Sequence, residues 1–345
     1  MSRVERLRAA LEEPLLVSDP ANLFYLSAFE STNAALLVAL DGAPRLFTDF
    51  RYAAAARSLD GFEVVETKRN LYADLAQLLE GRIGFEAPSL TYQRWETLRE
   101  GGLELVPRTG VVEQLRAVKD EHELELIRRA AAITTRAYER LAEEPFVGRS
   151  ERELAWTMEH FLREEGADGL AFEIGLGTGP GGGVPHAHPS DRRVERGHLV
   201  VVDAGAKLGG YRSDCTRTFA AGELDDESRR IYDVCLDAQQ AALAATRAGA
   251  HGRAVDAVAR ERIETAGYGE QFGHGLGHGL GVLIHEAPVL RPESEDTLEP
   301  GNVVTVEPGI YLAGRQGVRI EDLVVVTADE PEVLTGFTKE LVTVH

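Results

Sequence analysis

Two stretches of the chain repeat one pattern: Arg196–Gly205, RGHLVVVDAG, and Pro300–Gly309, PGNVVTVEPG. In each, a turn glycine (Gly197 or Gly301) stands six residues before an acid (Asp203 or Glu307), with a β-branched run between them. A second acid follows in each half, Asp214 in GYRSDCTRTF and Glu321 in GVRIEDLVVV. The pattern reads as an internal duplication, two half-domains that each present a strand pair with one acid per strand. Asp203 and Glu307 fall where core is expected, and acids are almost never fully buried unless paired or bound to metal. One such acid alone would be read as an exposed strand end making a salt bridge. Its recurrence at the same offset in both halves argues for a shared purpose.

Four carboxylates drawn onto one point repel each other unless cations neutralise them. With one imidazole the set carries a charge that two divalent ions balance, and oxygen ligands beside a single imidazole suit Mn²⁺, Co²⁺ or Zn²⁺. Such ions would lower the pKa of a shared water and clamp the oxygens of a tetrahedral intermediate. Histidines cluster in the same region: His186 and His188 in VPHAHPS, His274 and His278 in FGHGLGHGLG, and His285 in IHEAP. The glycines around His274 and His278 argue against a zinc-binding helix and for a loop or strand where backbone approaches closely. GTGPGGG at 177–183 lacks the GK[ST] ending of a phosphate loop, no serine sits in a GxSxG elbow, and Cys215 reads as a small core residue.

The length of 345 residues suggests two domains. Residues 1–115 form the first, a small α/β domain whose short apolar runs are broken by Asp-Pro, Asp-Gly and Ala-Pro. Residues 116–345 form the second, with helical spacing predicted over 121–144, 151–166, 226–248 and 253–267. A net charge of −20 without a basic cluster excludes nucleic acid as a partner. No apolar run is long enough to span a bilayer, and MSRVERLRAALEEP is not a signal peptide, so no membrane is expected. Cys215 and Cys235 form no CxxC pair, which fits a reducing cytoplasm.

VVVDAGAKLGGYRSDCTRTF, FGHGLGHGLGVLIHEAP, VVTVEPGIY and GVRIED resemble the metal-binding motifs of the pita-bread metallopeptidases, in particular the Xaa-Pro dipeptidase (prolidase) and Xaa-Pro aminopeptidase branch. SDPANLFYLSAFESTNAALLVALDG and LFTDFRYAAAA resemble the N-terminal domain of that branch and of creatinase, and VKDEHELELIRRAA its connecting helix, so the likeness spans almost the whole chain. The resemblance implies a duplicated α/β (α+β) pita-bread catalytic domain behind a smaller creatinase-like domain. It implies two metal ions: Asp203 on one, His278 and Glu307 on the other, Asp214 and Glu321 bridging both. Glu307 then doubles as a proton shuttle. His274, His285 and His186 match catalytic and substrate histidines that shape the pocket and stabilise the developing oxyanion. Arg319 matches an arginine beside the last ligand that meets the substrate or the bridging acid, and Tyr311 a tyrosine near the site; both count with His285 as substrate-binding candidates, while His188 and His198 match nothing functional. The expected substrate is a small peptide with proline second, cut by a homodimeric dipeptidase or, alternatively, by an aminopeptidase acting on longer peptides. Creatinase and the non-catalytic relatives lose several ligands, and methionine aminopeptidases lack the N-terminal domain; all five ligands and that domain are present here.

Overall fold

Leu15–Val17 and Ala34–Val38 are apolar at every position, so both faces of the strands they form must be covered. The computed structural model describes all 345 residues and divides into two compact units, Met1–Arg116 and Ala117–His345. In the first, β1 (Leu15–Val17), β2 (Ala34–Val38), β3 (Arg45–Asp49), β4 (Glu63–Thr67), β5 (Arg82–Glu86) and β6 (Glu104–Arg108) make a mixed sheet ordered β4-β3-β2-β1-β5-β6. Six helices accompany it: α1 (Arg3–Arg8), α2 (Pro20–Ser27), α3 (Ala53–Ala56), α4 (Leu71–Leu78), α5 (Tyr92–Glu100) and α6 (Val111–Ala117). Alternate strand residues face opposite ways: Leu15, Val17, Leu36 and Val38 pack with Leu7, Leu23 and Ala56, whereas Leu16, Leu37 and Phe85 pack with Leu71, Leu75 and Leu98. Asp19-Pro20, expected from sequence as a turn between strands, opens α2 instead. The Asp19 carboxylate accepts the N–H groups of Ala21 and Asn22, and proline suits a first helical position whose N–H has no partner.

The second unit states the duplication in full. Its first half runs α7 (Glu121–Ala142), α8 (Glu151–Glu164), β7 (Gly169–Leu170), β8 (Gly175–Thr178), β9 (Leu199–Ala204), the hairpin β10 (Ala206–Leu208) and β11 (Tyr211–Arg212), then β12 (Cys215–Ala221). Its second half runs α9 (Asp226–Ala245), α10 (Gly252–Thr265), β13 (Gly277–Gly279), β14 (Glu286–Leu290), β15 (Val303–Val306), the hairpin β16 (Gly309–Leu312) and β17 (Gln316–Arg319), then β18 (Asp322–Val325). β9 pairs antiparallel with β8 and β12, as β15 does with β13 and β18; β19 (Glu332–Val333) and β20 (Thr343–Val344) flank the two sheets. Each half has its own core, and the β-branched runs fill them: Val200 and Val202 in one, Val304 and Val306 in the other. Capping boxes, Asp120 with Glu123 and Ser150 with Glu153, start the two helices of the first half. No helix is long and apolar enough to cross a membrane.

Tyr138 on α7 is fully buried, and its hydroxyl lies 2.9 and 2.7 Å from the carbonyls of Val202 and Cys215, on the two strands that bracket Asp203 and Asp214. Tyr138→Phe removes the donor and leaves the shape. It should destabilise the protein by about 1–2 kcal/mol in urea denaturation; an unchanged midpoint would mean the hydroxyl contributes nothing.

Candidate metal centre

Strand ends bring the acids together. Asp203 is the penultimate residue of β9, Asp214 sits between β11 and β12, Glu307 follows β15, and Glu321 lies between β17 and β18. Carboxylate oxygens of Asp203, Asp214 and Glu321 all lie within 4.8 Å of one another. His278, midway along β13, sets Nε2 3.3 Å from Glu307 Oε1 and 3.8 Å from Asp214 Oδ2. The glycines beside it are needed for packing. A Cβ at Gly277 would stand 2.0 Å from the Thr305 carbonyl oxygen, and one at Gly279 would stand 2.3 Å from that of Ala287.

At an effective dielectric near 20, three ionised carboxylates at this spacing repel by roughly 10 kcal/mol in all, comparable to the whole stability of a domain. Hydrogen bonds do not resolve this. Thr216 Oγ1 donates to Glu321 Oε2 at 2.7 Å and Thr305 Oγ1 to Glu307 Oε1 at 3.0 Å, yet Asp203 Oδ1, Asp214 Oδ1 and Glu321 Oε1 are buried without any partner. His278 Nδ1 lies 3.1 Å from the Gly279 carbonyl, which only accepts, so Nδ1 carries a proton and Nε2 faces the acids. Partnerless carboxylate oxygens beside one imidazole nitrogen fit divalent cations.

Arg319 is the cation the chain itself supplies. It is buried, with NH2 donating to Asp203 Oδ2 at 2.6 Å, Nε to Thr216 Oγ1 at 3.0 Å, and NH1 to Tyr311 Oη at 2.8 Å and the Pro185 carbonyl at 3.0 Å. Tyr311 Oη, accepting from Arg319, lies 3.1 Å from His274 Nε2, while His274 Nδ1 lies 2.8 Å from the Gly275 carbonyl. The geometry defines one chain of donors from Arg319 through Tyr311 to a neutral His274, whose pKa burial pushes down. Arg319 and Tyr311 are thus buried groups engaged with protein; Arg319 meets an acid of the cluster, although Asp203 and not one of the expected bridging pair, and a direct bond from it to substrate needs one of its present bonds exchanged. His186 and His285 are exposed. The His186 loop is held by Pro185 on Arg319 and by buried Glu151, whose carboxylate accepts from Thr178 N, Ser190 N and Ser190 Oγ. The His285 ring meets His278 edge to face, with centroids 4.4 Å apart. His188 lies beside Glu173, and His198 beside Thr178 and Glu195.

Sequence reasoning missed Thr305, Glu151 and a buried network behind the acids. Arg217 donates to Asp322 at 2.9 Å and to the carbonyls of Glu321, Thr216, Phe337 and Thr338, while Lys339 meets Asp322 from the other side at 2.5 Å. Thr305 was findable, since a strand residue two before Glu307 shares its face. Asp322 was not, because in Glu321-Asp322 nothing marks which acid turns inward.

The duplicated fold and its acid-rich centre with one histidine define a class, the metal-dependent hydrolases. Residues 125–328 match the model of metallopeptidase family M24, and residues 3–118 match that of the creatinase/prolidase N-terminal domain. The chain belongs to metallopeptidase family M24 and is a peptidase. It is 33% identical over 347 residues to the Xaa-Pro dipeptidase of Pyrococcus furiosus, covering 98% of this chain and 99% of that one. Among solved structures, the Xaa-Pro dipeptidase from Bacillus anthracis superposes with a TM-score of 0.94 at 37% identity over 99% of both chains. The X-Pro aminopeptidase from Thermotoga maritima superposes with a TM-score of 0.90 at 35% identity over 99% of this chain and 100% of that one.

Burial, with the neighbouring acids adding to it, pushes the Asp214 and Glu321 carboxyls well above the usual carboxylate range. Burial also opposes ionisation of Glu307, but its hydrogen bond to His278 and the charges of His278 and Arg319 outweigh that and hold it at about 2. A carboxyl with a raised folded pKa contributes stability below its unfolded value near 4 and loses it as pH rises through the folded value. His278, also raised against its burial by Glu307, acts in the same direction; Glu307, His274 and His285 have the opposite sign, but their windows end near their unfolded values, the highest about 6.5. The cation-free chain should therefore weaken between pH 5.5 and pH 8. Mn²⁺ should raise its melting temperature more at pH 8 and release protons on binding; equal stabilisation at both pH values would contradict this charge assignment.

Proposed function

We propose that the chain is an Xaa-Pro dipeptidase (prolidase) working with two divalent ions, Mn²⁺, Co²⁺ or Zn²⁺. The observation that carries the reading is the set of partnerless oxygens on Asp203, Asp214 and Glu321, beside His278 and Glu307. It occurs in a chain similar along its whole length to proteins named Xaa-Pro dipeptidase. Asp203 would hold one ion, His278 and Glu307 the other, and Asp214 and Glu321 both. When bound, the ions supply Lewis acidity toward the scissile carbonyl and a water of lowered pKa.

The chain's own residues do the remaining work. Glu307 Oε1 is engaged by Thr305, whereas Oε2 has only the Arg319 guanidinium, 3.9 Å away. Oε2 takes the proton of the attacking water and delivers it to the proline nitrogen as the bond breaks. That nitrogen belongs to a tertiary amide with no N–H, so a pocket for it needs no acceptor there. His285 and His186 stand on the substrate side and steady the developing oxyanion. Arg319, with Tyr311 and His274 behind it, opposes the burial that pushes the Asp203 carboxyl up, and it holds the His186 loop in place. A cytoplasmic homodimer is the setting this reading implies, with sedimentation as the check on assembly.

Exhaustive chelation should abolish hydrolysis, and Mn²⁺ should restore it. Asp214→Asn should lose metal and rate together, while His285→Ala should keep the metal and lose turnover by about 100-fold or more. Two ions per chain in Asp214→Asn would remove its bridging role.

Substrate length separates dipeptidase from aminopeptidase. A dipeptide carries its carboxylate on the proline, and a third residue moves it about 3.5 Å onward. Losing a charge-assisted contact of about 1.5–3 kcal/mol implies at least a tenfold preference in kcat/KM for Xaa-Pro over Xaa-Pro-Xaa. Equal or better cleavage of the tripeptide would move the assignment to aminopeptidase.

A further inference from the structure

No hydrogen bond from the chain orients the His285 ring, and its ring contact is the edge-to-face one with His278. Its position therefore rests on the backbone of the turn that carries it, residues 281–286. That turn is closed by the next side chain. Glu286 Oε1 accepts the Leu283 N–H at 2.7 Å, and Gly281 N donates to the Leu283 carbonyl at 3.0 Å. The other Glu286 oxygen faces Lys119 Nζ at 3.6 Å, and the two side chains are only 6% and 1% exposed. The fit is close: a Cβ on Gly281 would meet the Glu286 oxygens at 3.0 and 3.2 Å and Lys119 Cε at 3.2 Å.

Lys119 is itself fixed at a functional point. Its N–H donates at 2.9 Å to the carbonyl of Gly301, the turn glycine that leads into β15 and Glu307. On the other side of the same turn, Arg212 N donates at 3.0 Å to the Gly281 carbonyl, two residues before Asp214. The pair thus joins the turn bearing His285 to the strand leading to one proposed ligand, and the turn is joined to the chain just before another. A buried ion pair is weak evidence for stability as such, and its best-supported use is to fix one arrangement.

We infer that Lys119 and Glu286 are positioning residues for His285: their buried ion pair holds the 281–286 turn so that the imidazole faces substrate. The inference rests on the substrate-side role proposed for His285, and a double-mutant cycle distinguishes failure of one from failure of the other. Lys119→Met should lower kcat/KM for an Xaa-Pro dipeptide by at least about tenfold, with metal content unchanged and Lys119→Arg recovering most of the activity. In a His285→Ala background, the same substitution should change kcat/KM by less than about twofold. Should Lys119→Met fail to fold, Glu286→Gln, which retains an acceptor for Leu283, carries the same cycle.

An equal loss in both backgrounds would overturn the positioning role and leave a merely structural pair. No loss in the single variant, or loss of metal from it, would overturn the role too. Unchanged turnover in His285→Ala alone would overturn the role of His285, and this inference with it.

Discussion

Mutual repulsion among carboxylates at one point is the constraint on which the second unit is built. Asp203, Asp214 and Glu321 crowd within 4.8 Å, with Glu307 reaching the group through His278. Left to themselves these side chains would turn to solvent, so the surrounding chain removes that freedom. Each acid sits at a strand end, each strand is anchored in an apolar core, and the threonines Thr216 and Thr305 fix one oxygen each on Glu321 and Glu307. Behind them Arg217 grips the backbone at Thr216 and Glu321 and is balanced by Asp322, which Lys339 balances in turn. The fold holds the acids in an arrangement they would not choose, and this is what makes the centre receptive to cations.

Much of this was legible in the sequence because duplication shows itself twice. Gly197 to Asp203 and Gly301 to Glu307 repeat an offset that chance does not favour, and the helices at 121, 151, 226 and 252 begin within a residue of where helical periodicity places them. Asp19-Pro20 misled because the same dipeptide that ends a strand also starts a helix, and only tertiary packing decides between them. The roles of Lys119, Glu286 and Glu151 were invisible for another reason. A charged residue in an Arg- and Glu-rich chain reads as surface, and burial against a partner far along the chain leaves no local trace.

His186 and His285, the two exposed histidines proposed for the substrate side, share a design. Both stand on glycine-containing turns, and a buried glutamate braces each: Glu151 accepts the N–H groups of Thr178 and Ser190 on either side of one, and Glu286 that of Leu283 within the other. Both rings are proposed to meet substrate, and neither makes a hydrogen bond of its own to the chain. Rigidity is moved one step back, into the backbone beneath them.

The paired strand–hairpin–strand units bear on ancestry. One half alone offers two carboxylates and only one side of the cluster, so a half-length forebear could complete such a centre only by associating with a second copy about a twofold axis. Within one chain the two sides need not stay alike. The first half now carries aspartates and the second glutamates, one methylene longer, and only the second places a histidine on the strand before its apolar run. An arginine stands two residues before the later acid in both halves. Arg319 serves the acids, whereas the Arg212 guanidinium bonds to the Ala171 carbonyl. At matching places in an asymmetric pair, one kind of side chain thus takes up two occupations.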